Sequence, residues 1–269
     1  MELHGNNQQQ NVIAIIPARY ASTRLPGKLL LEIAGKPLIL HTLGQAMKAR
    51  TVSRVIVATD DARIIDVVNA SGHEALVTSH DHRSGSDRLA EVAENLPDGS
   101  IIVNVQGDEP MISPDTIDAA VEALIRDKNA DMATTSEPIT EVYDELMNTN
   151  VVKVATNDDG YAVYFSRSPI PFPREAVLRH GSPEKAFVNE PGLISTFRKH
   201  TGLYVYRREY LLRFTKMPQS KLEQIEVLEQ LRALENGSKI RVVEVNESSI
   251  GVDTPEDLER VRALLEANG

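Results

Sequence analysis

The sequence contains no cysteine, which excludes a disulfide framework and any thiolate metal site. No apolar run approaches the ~18 residues that a membrane-spanning helix requires. The opening residues, MELHGNNQQQ, lack the apolar centre of a signal peptide. Residues 1–11 are therefore expected to form a disordered polar extension. Positive charge is also in short supply: 29 Lys and Arg stand against 39 Asp and Glu, a formal net charge of −10. That balance argues against nucleic acid or an anionic membrane as partner. With no targeting or spanning segment, a soluble cytoplasmic protein is expected. Internal repeats and low-complexity tracts are missing. So are a Gly-x-x-x-x-Gly-Lys-Ser/Thr phosphate loop and any obvious Ser-His-Asp set.

What is present suits one α/β domain over residues 12–269. Hydrophobic residues make up 41% of the 269, enough to fill a core. Residues 12–16 (VIAII) form a short apolar run stopped by Pro17, the pattern of a strand buried on both faces. Residues 54–58, 74–77 and 100–104 read as further strands. Residues 37–50, 60–70, 87–95 and 115–126 read as the helices between them, the last capped by Ser113 with Pro114 behind it. Strands alternating with helices predict a doubly wound, mostly parallel sheet. Ligands then sit outside the carboxyl ends of the strands, at the loops after Ile16, Ala58 and Val105.

The second half has another texture. Residues 151–156 and 161–165 alternate around Asn157-Asp158-Asp159-Gly160, a hairpin signal. Residues 169–199 look irregular, and 202–207 reads as a strand. Residues 221–236 are expected to form one long helix stopped by Gly237. A late strand is predicted at 239–245, then a helix capped by Thr254 with an acidic first turn.

Chemistry concentrates in the loop 17–28, PARYASTRLPGK, which carries Arg19, Arg24 and Lys28 directly after the first strand. A triphosphate needs donors that approach closely and cations that neutralise spread charge. Each cation contributes up to ~4 kcal/mol of attraction at 4 Å before desolvation. A lone Arg-x-x-x-x-Arg would read as a solvated basic loop; three cations at this place favour phosphate. Asp108 lies in the turn after the strand at 100–104, and Asp253 precedes the last helix. Each alone reads as a turn or cap residue, although Mg²⁺ favours one or two such carboxylates plus phosphate oxygens. The amide of Gln106 can donate and accept beside Asp108. Arg167, Arg174, His200 and Tyr204 lie around the irregular segment and Arg88 in an earlier loop. Arg grips carboxylates, while His and Tyr reach hydroxyls. By themselves, His200 reads as a surface residue and Tyr204 as core.

The loop 17–28 resembles the signature of the 3-deoxy-manno-octulosonate (KDO) cytidylyltransferases. The resemblance continues through VATDD at 57–61, SGSDR at 84–88, NVQGDEP at 104–110, YFSR at 164–167, LEQLR at 228–232 and GVDTPEDL at 251–258. In this order and spacing these segments are highly specific. The resemblance implies a nucleotide-diphospho-sugar transferase-like fold, with a mixed insertion at 151–208 used for sugar binding and dimerisation. It implies that the anomeric hydroxyl of KDO attacks the α-phosphorus of CTP, giving CMP-KDO and pyrophosphate for lipopolysaccharide biosynthesis. Catalysis would fall to Arg19, Lys28, Asp108 and Asp253, the two aspartates holding Mg²⁺. Ala18, Arg19, Ser22, Arg24 and Lys28, with Gln106 and Asp108, would bind CTP. KDO would meet Arg88, Gln106, Arg167 and Arg174, and also His200, Tyr204, Glu229 and Gln230. Glu229 and Gln230 rest wholly on the resemblance. A homodimer is implied.

Leu29 stands where the family usually has proline, Ser86 where threonine is usual and Thr201 where an aliphatic residue is common. Rival readings are a cytidylyltransferase for 8-amino-KDO or for sialic acid. A non-catalytic nucleotide-binding regulator would predict erosion of Lys28, Asp108 or Asp253, and all are present.

Overall fold

A computed structural model describes residues 10–21, 24–247 and 249–267. The chain runs β1 (Val12–Ala18), β2 (Glu32–Ile33), β3 (Lys36–Pro37), α1 (Leu38–Lys48), β4 (Arg54–Thr59), α2 (Ala62–Ala70), β5 (Glu74–Val77), α3 (Gly85–Glu94), β6 (Ile101–Asn104) and α4 (Pro114–Arg126). It continues through β7 (Met132–Pro138), β8 (Lys153–Thr156), β9 (Ala162–Ser166), α5 (Arg174–His180), α6 (Pro183–Asn189), β10 (Arg198–Arg207), α7 (Arg208–Phe214), α8 (Lys221–Glu226), α9 (Gln230–Glu235), β11 (Ile240–Glu244) and α10 (Pro255–Ala267). Among the described residues nine strands share one sheet, whose main path runs β11-β7-β10-β6-β1-β4-β5. β1 pairs in parallel with β4 and β6, and β4 with β5. β10 is antiparallel to both neighbours, β6 and β7. The sheet is mixed and mostly parallel, as the alternation predicts.

β1 explains the architecture. Val12, Ala14, Ile16 and Ala18 point into one core with Leu38, Ile39 and Leu43 of α1 and Ile117 and Val121 of α4. Ile13 and Ile15 point into the other, with Leu89 of α3, Tyr206, Phe214 and Leu231 of α9. Helices cover both faces, which is why the strand is apolar at every position. From β1 the chain goes outward to β4 and β5, then crosses to β6 on the other side of β1. The carboxyl ends of β1 and β6 therefore flank a topological switch point, where a crevice opens.

Two expectations fail. Residues 221–236 are not one helix. α8 ends at Glu226, Val227 is left-handed, and α9 starts at Gln230. Glu223 and Arg232 meet through Nε to Oε2 at 2.8 Å and Nη2 to Oε1 at 2.6 Å, both almost fully buried. Nine residues of continuous helix would separate them by ~13 Å along the axis. The tertiary pair overrides helical propensity and breaks the segment. The irregular stretch also contains order: α5 and α6 occupy much of it, clasped by Arg179 and His180 on Glu190. The strand read at 202–207 begins earlier, at Arg198, and β8 and β9 form the expected hairpin.

Candidate active site

The loop after β1 returns on itself at Gly27, whose φ of 66° is left-handed. A Cβ there would lie 3.0 Å from the Tyr20 ring, so only glycine suits both the dihedral and the space. Gly27 leads directly into a 3-10 turn that starts at Lys28. The Lys28 ammonium donates to Asp108 Oδ2 at 2.5 Å, Asp253 Oδ1 at 2.9 Å and the Val252 carbonyl at 3.0 Å. Arg24 reaches the other Asp253 oxygen at 2.9 Å. Partial burial works against the Lys28 charge, but Asp108 and then Asp253 outweigh it and hold its pKa above the ordinary lysine value. Burial likewise opposes the Asp253 carboxylate, and Lys28 and Arg24 overcome it and keep its pKa low.

Asp108 follows β6 in a tight turn. A Cβ on Gly107 would meet the Pro17 carbonyl at 3.2 Å and Ile39 at 3.3 Å. Glycine thus lets the two carboxyl-end loops touch. Thr42 of α1 fixes the turn by donating to the Gly107 carbonyl at 2.9 Å. The segment before α10 is tied in by Val252 N–H on the Asp108 carbonyl at 2.8 Å. Asp253 does not cap α10. Thr254 and Asp257 do that reciprocally, which leaves the Asp253 carboxylate for the site. A cavity of about 410 Å³ is bounded by Arg19, Arg24, Lys28, Gln106, Asp108 and Asp253.

Arg19 is exposed and donates to the His82 carbonyl at 2.9 Å. Ala18 is buried at the end of β1. Ser22 lies outside the described residues, as does most of the 1–11 extension. Gln106 extends its amide towards the Gly202 carbonyl at 3.4 Å and so joins this cavity to β10. Glu109, beside Asp108, is pushed up to about 8 by burial and then by the Asp108 charge.

On the β10 side, the His200 ring packs edge-on to Phe165 and against Tyr204, each 5.1 Å between centroids. Its Nε2 meets the Thr134 hydroxyl at 2.8 Å. Burial depresses its pKa to about 3, so the imidazole is neutral at ordinary pH. Burial, followed by Tyr206 and Glu229, raises the Tyr204 phenol. Glu229 accepts from the Ser86 hydroxyl at 2.8 Å. Its Oε1 is buried without a hydrogen-bond partner, although the Arg232 guanidinium lies 3.5 Å away. Burial raises the Glu229 pKa. Gln230 is buried beside it.

Three predicted sugar contacts are engaged elsewhere. Arg88 lies inside α3 rather than in a loop, is 1% exposed, and bonds Thr78 and, at 3.1 Å, Asp60. Arg174 is exposed at the start of α5 and pairs with its neighbour Glu175. Arg167 binds backbone carbonyls on either side of Val227. Sequence reasoning missed the Val252 carbonyl, the Ser86 hydroxyl as a Glu229 partner, and Glu226, which accepts from Ser166 and the Arg167 N–H. No short motif marks such contacts. Of the three departures, Leu29 is buried in the core, and the Thr201 hydroxyl bonds the Thr135 hydroxyl and, at 3.3 Å, its carbonyl.

Two carboxylates converging within hydrogen-bond reach of one ammonium make a donor set that fits a hard cation sharing phosphate oxygens. Among the described residues no cluster of three or more His, Cys, Asp or Glu could hold a metal.

A family model for cytidylyltransferases matches residues 13–240, and the chain belongs to that family. It is 52% identical over 251 residues to the 3-deoxy-manno-octulosonate cytidylyltransferase of Trichlorobacter lovleyi, covering 93% of this chain and 97% of the relative. The same identity holds with the 3-deoxy-manno-octulosonate cytidylyltransferase of Geobacter sulfurreducens, over 93% and 98%. A solved CMP:2-keto-3-deoxy-manno-octonic acid synthetase, complexed with CTP, superposes with a TM-score of 0.86 at 41% identity, over 97% of this chain and all of that one. The 4-diphosphocytidyl-2C-methyl-D-erythritol synthase of Anaerococcus prevotii shares the fold alone, with a TM-score of 0.60 at 15% identity over 96% and 99% of the two chains.

Proposed function

We propose that this chain is a 3-deoxy-manno-octulosonate cytidylyltransferase, which converts CTP and KDO to CMP-KDO and pyrophosphate for lipopolysaccharide biosynthesis. The observation that carries the reading is the meeting of Lys28, Asp108 and Asp253 at the switch point, in a chain half-identical to enzymes of that name. Phosphoryl-type transfer asks mainly for positioning and charge neutralisation. Arg19, Arg24 and Lys28 would hold the triphosphate and stabilise the departing pyrophosphate, and Ala18 and Ser22 would be further CTP contacts. Asp108 and Asp253 would hold magnesium, which supplies Lewis acidity to the phosphate and the incoming oxygen. Lys28, freed from part of its present pairing, would then turn to phosphate.

Gln106 would span nucleotide and sugar. His200 as a neutral imidazole, Tyr204, and Glu229 with Gln230 would read sugar hydroxyls. Exposed Val163, Phe172, Leu178 and Val188, all within 151–208, suit burial in a homodimer. No helix among the described residues is long and apolar enough to cross a membrane; the enzyme would work in the cytoplasm.

Pyrophosphate release with CTP and KDO, set against sialic acid, 8-amino-KDO and the other nucleoside triphosphates, tests the reading. Turnover is expected with CTP and KDO. Preference for another sugar, or nucleotide binding without release, would overturn it.

A further inference from the structure

Val227 has a φ of 54°, a backbone conformation that a β-branched residue adopts only when its surroundings impose it. Its side chain is 73% exposed, so its own packing does not compensate. The buried Glu223–Arg232 pair draws α8 and α9 together, and a second restraint, on the carbonyls at the break itself, comes from Arg167. Nε donates to the Glu226 carbonyl at 2.8 Å, Nη2 to the Val227 carbonyl at 3.4 Å, and Nη1 to the Thr149 carbonyl at 3.0 Å. The Glu226 carboxylate closes the ring by accepting from Ser166 Oγ at 2.6 Å and the Arg167 N–H at 3.0 Å. Lys153 is wholly buried and donates to the carbonyls of Asn148 at 3.0 Å and Val151 at 2.6 Å. It pins the turn that Arg167 reaches through Thr149.

A guanidinium has five N–H donors in a rigid fork. With three of them on carbonyls from two segments, a bidentate grip on a substrate carboxylate would require undoing the clamp. Just beyond Val227 the chain enters α9 through Glu229 and Gln230.

We propose that Arg167 is a positioning residue: together with the Glu223–Arg232 pair it holds the left-handed break at Val227, and the break aims Glu229 and Gln230 at the sugar. The proposal rests on the sugar reading given above. A displacement of about 1 Å in such groups costs up to ~10²-fold in rate or binding.

The test compares Arg167→Met, Val227→Pro and Val227→Gly in the full chain, through KM for KDO, KM for CTP, and hydrogen exchange of residues 227–231. Proline fixes φ near −65° and forbids the break, whereas glycine adopts it freely. Arg167→Met and Val227→Pro are expected to raise KM for KDO by about tenfold or more, with KM for CTP unmoved and exchange accelerated. Val227→Gly is expected to keep the wild-type KM. If Arg167→Met alone raises KM for KDO, with exchange unchanged, the side chain touches the sugar directly and the proposal falls. If Val227→Pro does not fold, Arg167→Met against Val227→Gly carries the comparison. If the wild type does not turn over KDO, the functional reading fails by itself. Exchange in Arg167→Met then decides the clamp: acceleration supports it and unchanged protection overturns it.

Discussion

Lys28 serves three acceptors at once, two of them carboxylates from distant parts of the chain. Its removal takes away a donor for the substrate and the one ammonium that Asp108 and Asp253 share, leaving Asp253 to Arg24 alone. Lys28→Ala is therefore expected to lower kcat by ~10²-fold or more, the scale for loss of one preorganised charge; near-normal steady-state kinetics would refute its role. His200 gives a pH prediction. Its pKa falls from an unfolded value near 6.5 to about 3 on folding. The unfolded chain takes up a proton that the folded one refuses, so this contribution to stability is complete above 6.5. It is lost progressively as pH falls towards 3. Melting temperatures measured across that window should decline less steeply in His200→Asn than in the wild type. Parallel declines would contradict the assignment. At this scale the sequence announced the basic loop through its density of cations. Asp253 was harder to read: the Thr254 cap was legible and is borne out with Asp257 as its reciprocal partner, but no local signal shows that the Asp253 carboxylate turns to Lys28 instead.

Elements were legible where hydrophobic pattern alone determines them. β1 is apolar on both faces because helices cover both, and α4 carries its cap and proline as the sequence indicates. β7 escaped reading because its buried positions include Thr134, Thr135, Ser136 and Glu137. The Thr134 hydroxyl, for one, bonds the Leu203 carbonyl across the sheet at 2.6 Å. A strand satisfied by polar partners leaves no trace in hydropathy. The α8–α9 break was hidden for a related reason, since it depends on the buried Glu223–Arg232 pair. Breaking such a pair costs about 3–5 kcal/mol. Arg232→Met should thus lower the melting temperature by on the order of 10 °C in a chain of this size. The double variant Glu223→Gln/Arg232→Met should recover part of the loss. Differential scanning calorimetry checks both, and an unchanged Arg232→Met would mean that the pair does not hold the break.

Across the whole molecule, the sheet brings together groups separated by 80 and 225 positions from Lys28. The crossover from β5 to β6 opens the crevice between β1 and β6, and the return of the chain after β11 delivers Asp253 to its rim. No local motif encodes that meeting; it is a consequence of topology. The claim that both aspartates serve the same phosphate is tested most directly by Asp253→Asn, assayed for pyrophosphate release from CTP and KDO over a magnesium titration, with melting temperature as the control for folding. Most of the magnesium-dependent rate is expected to disappear while the fold persists. A variant as active as the wild type at ordinary magnesium would contradict it.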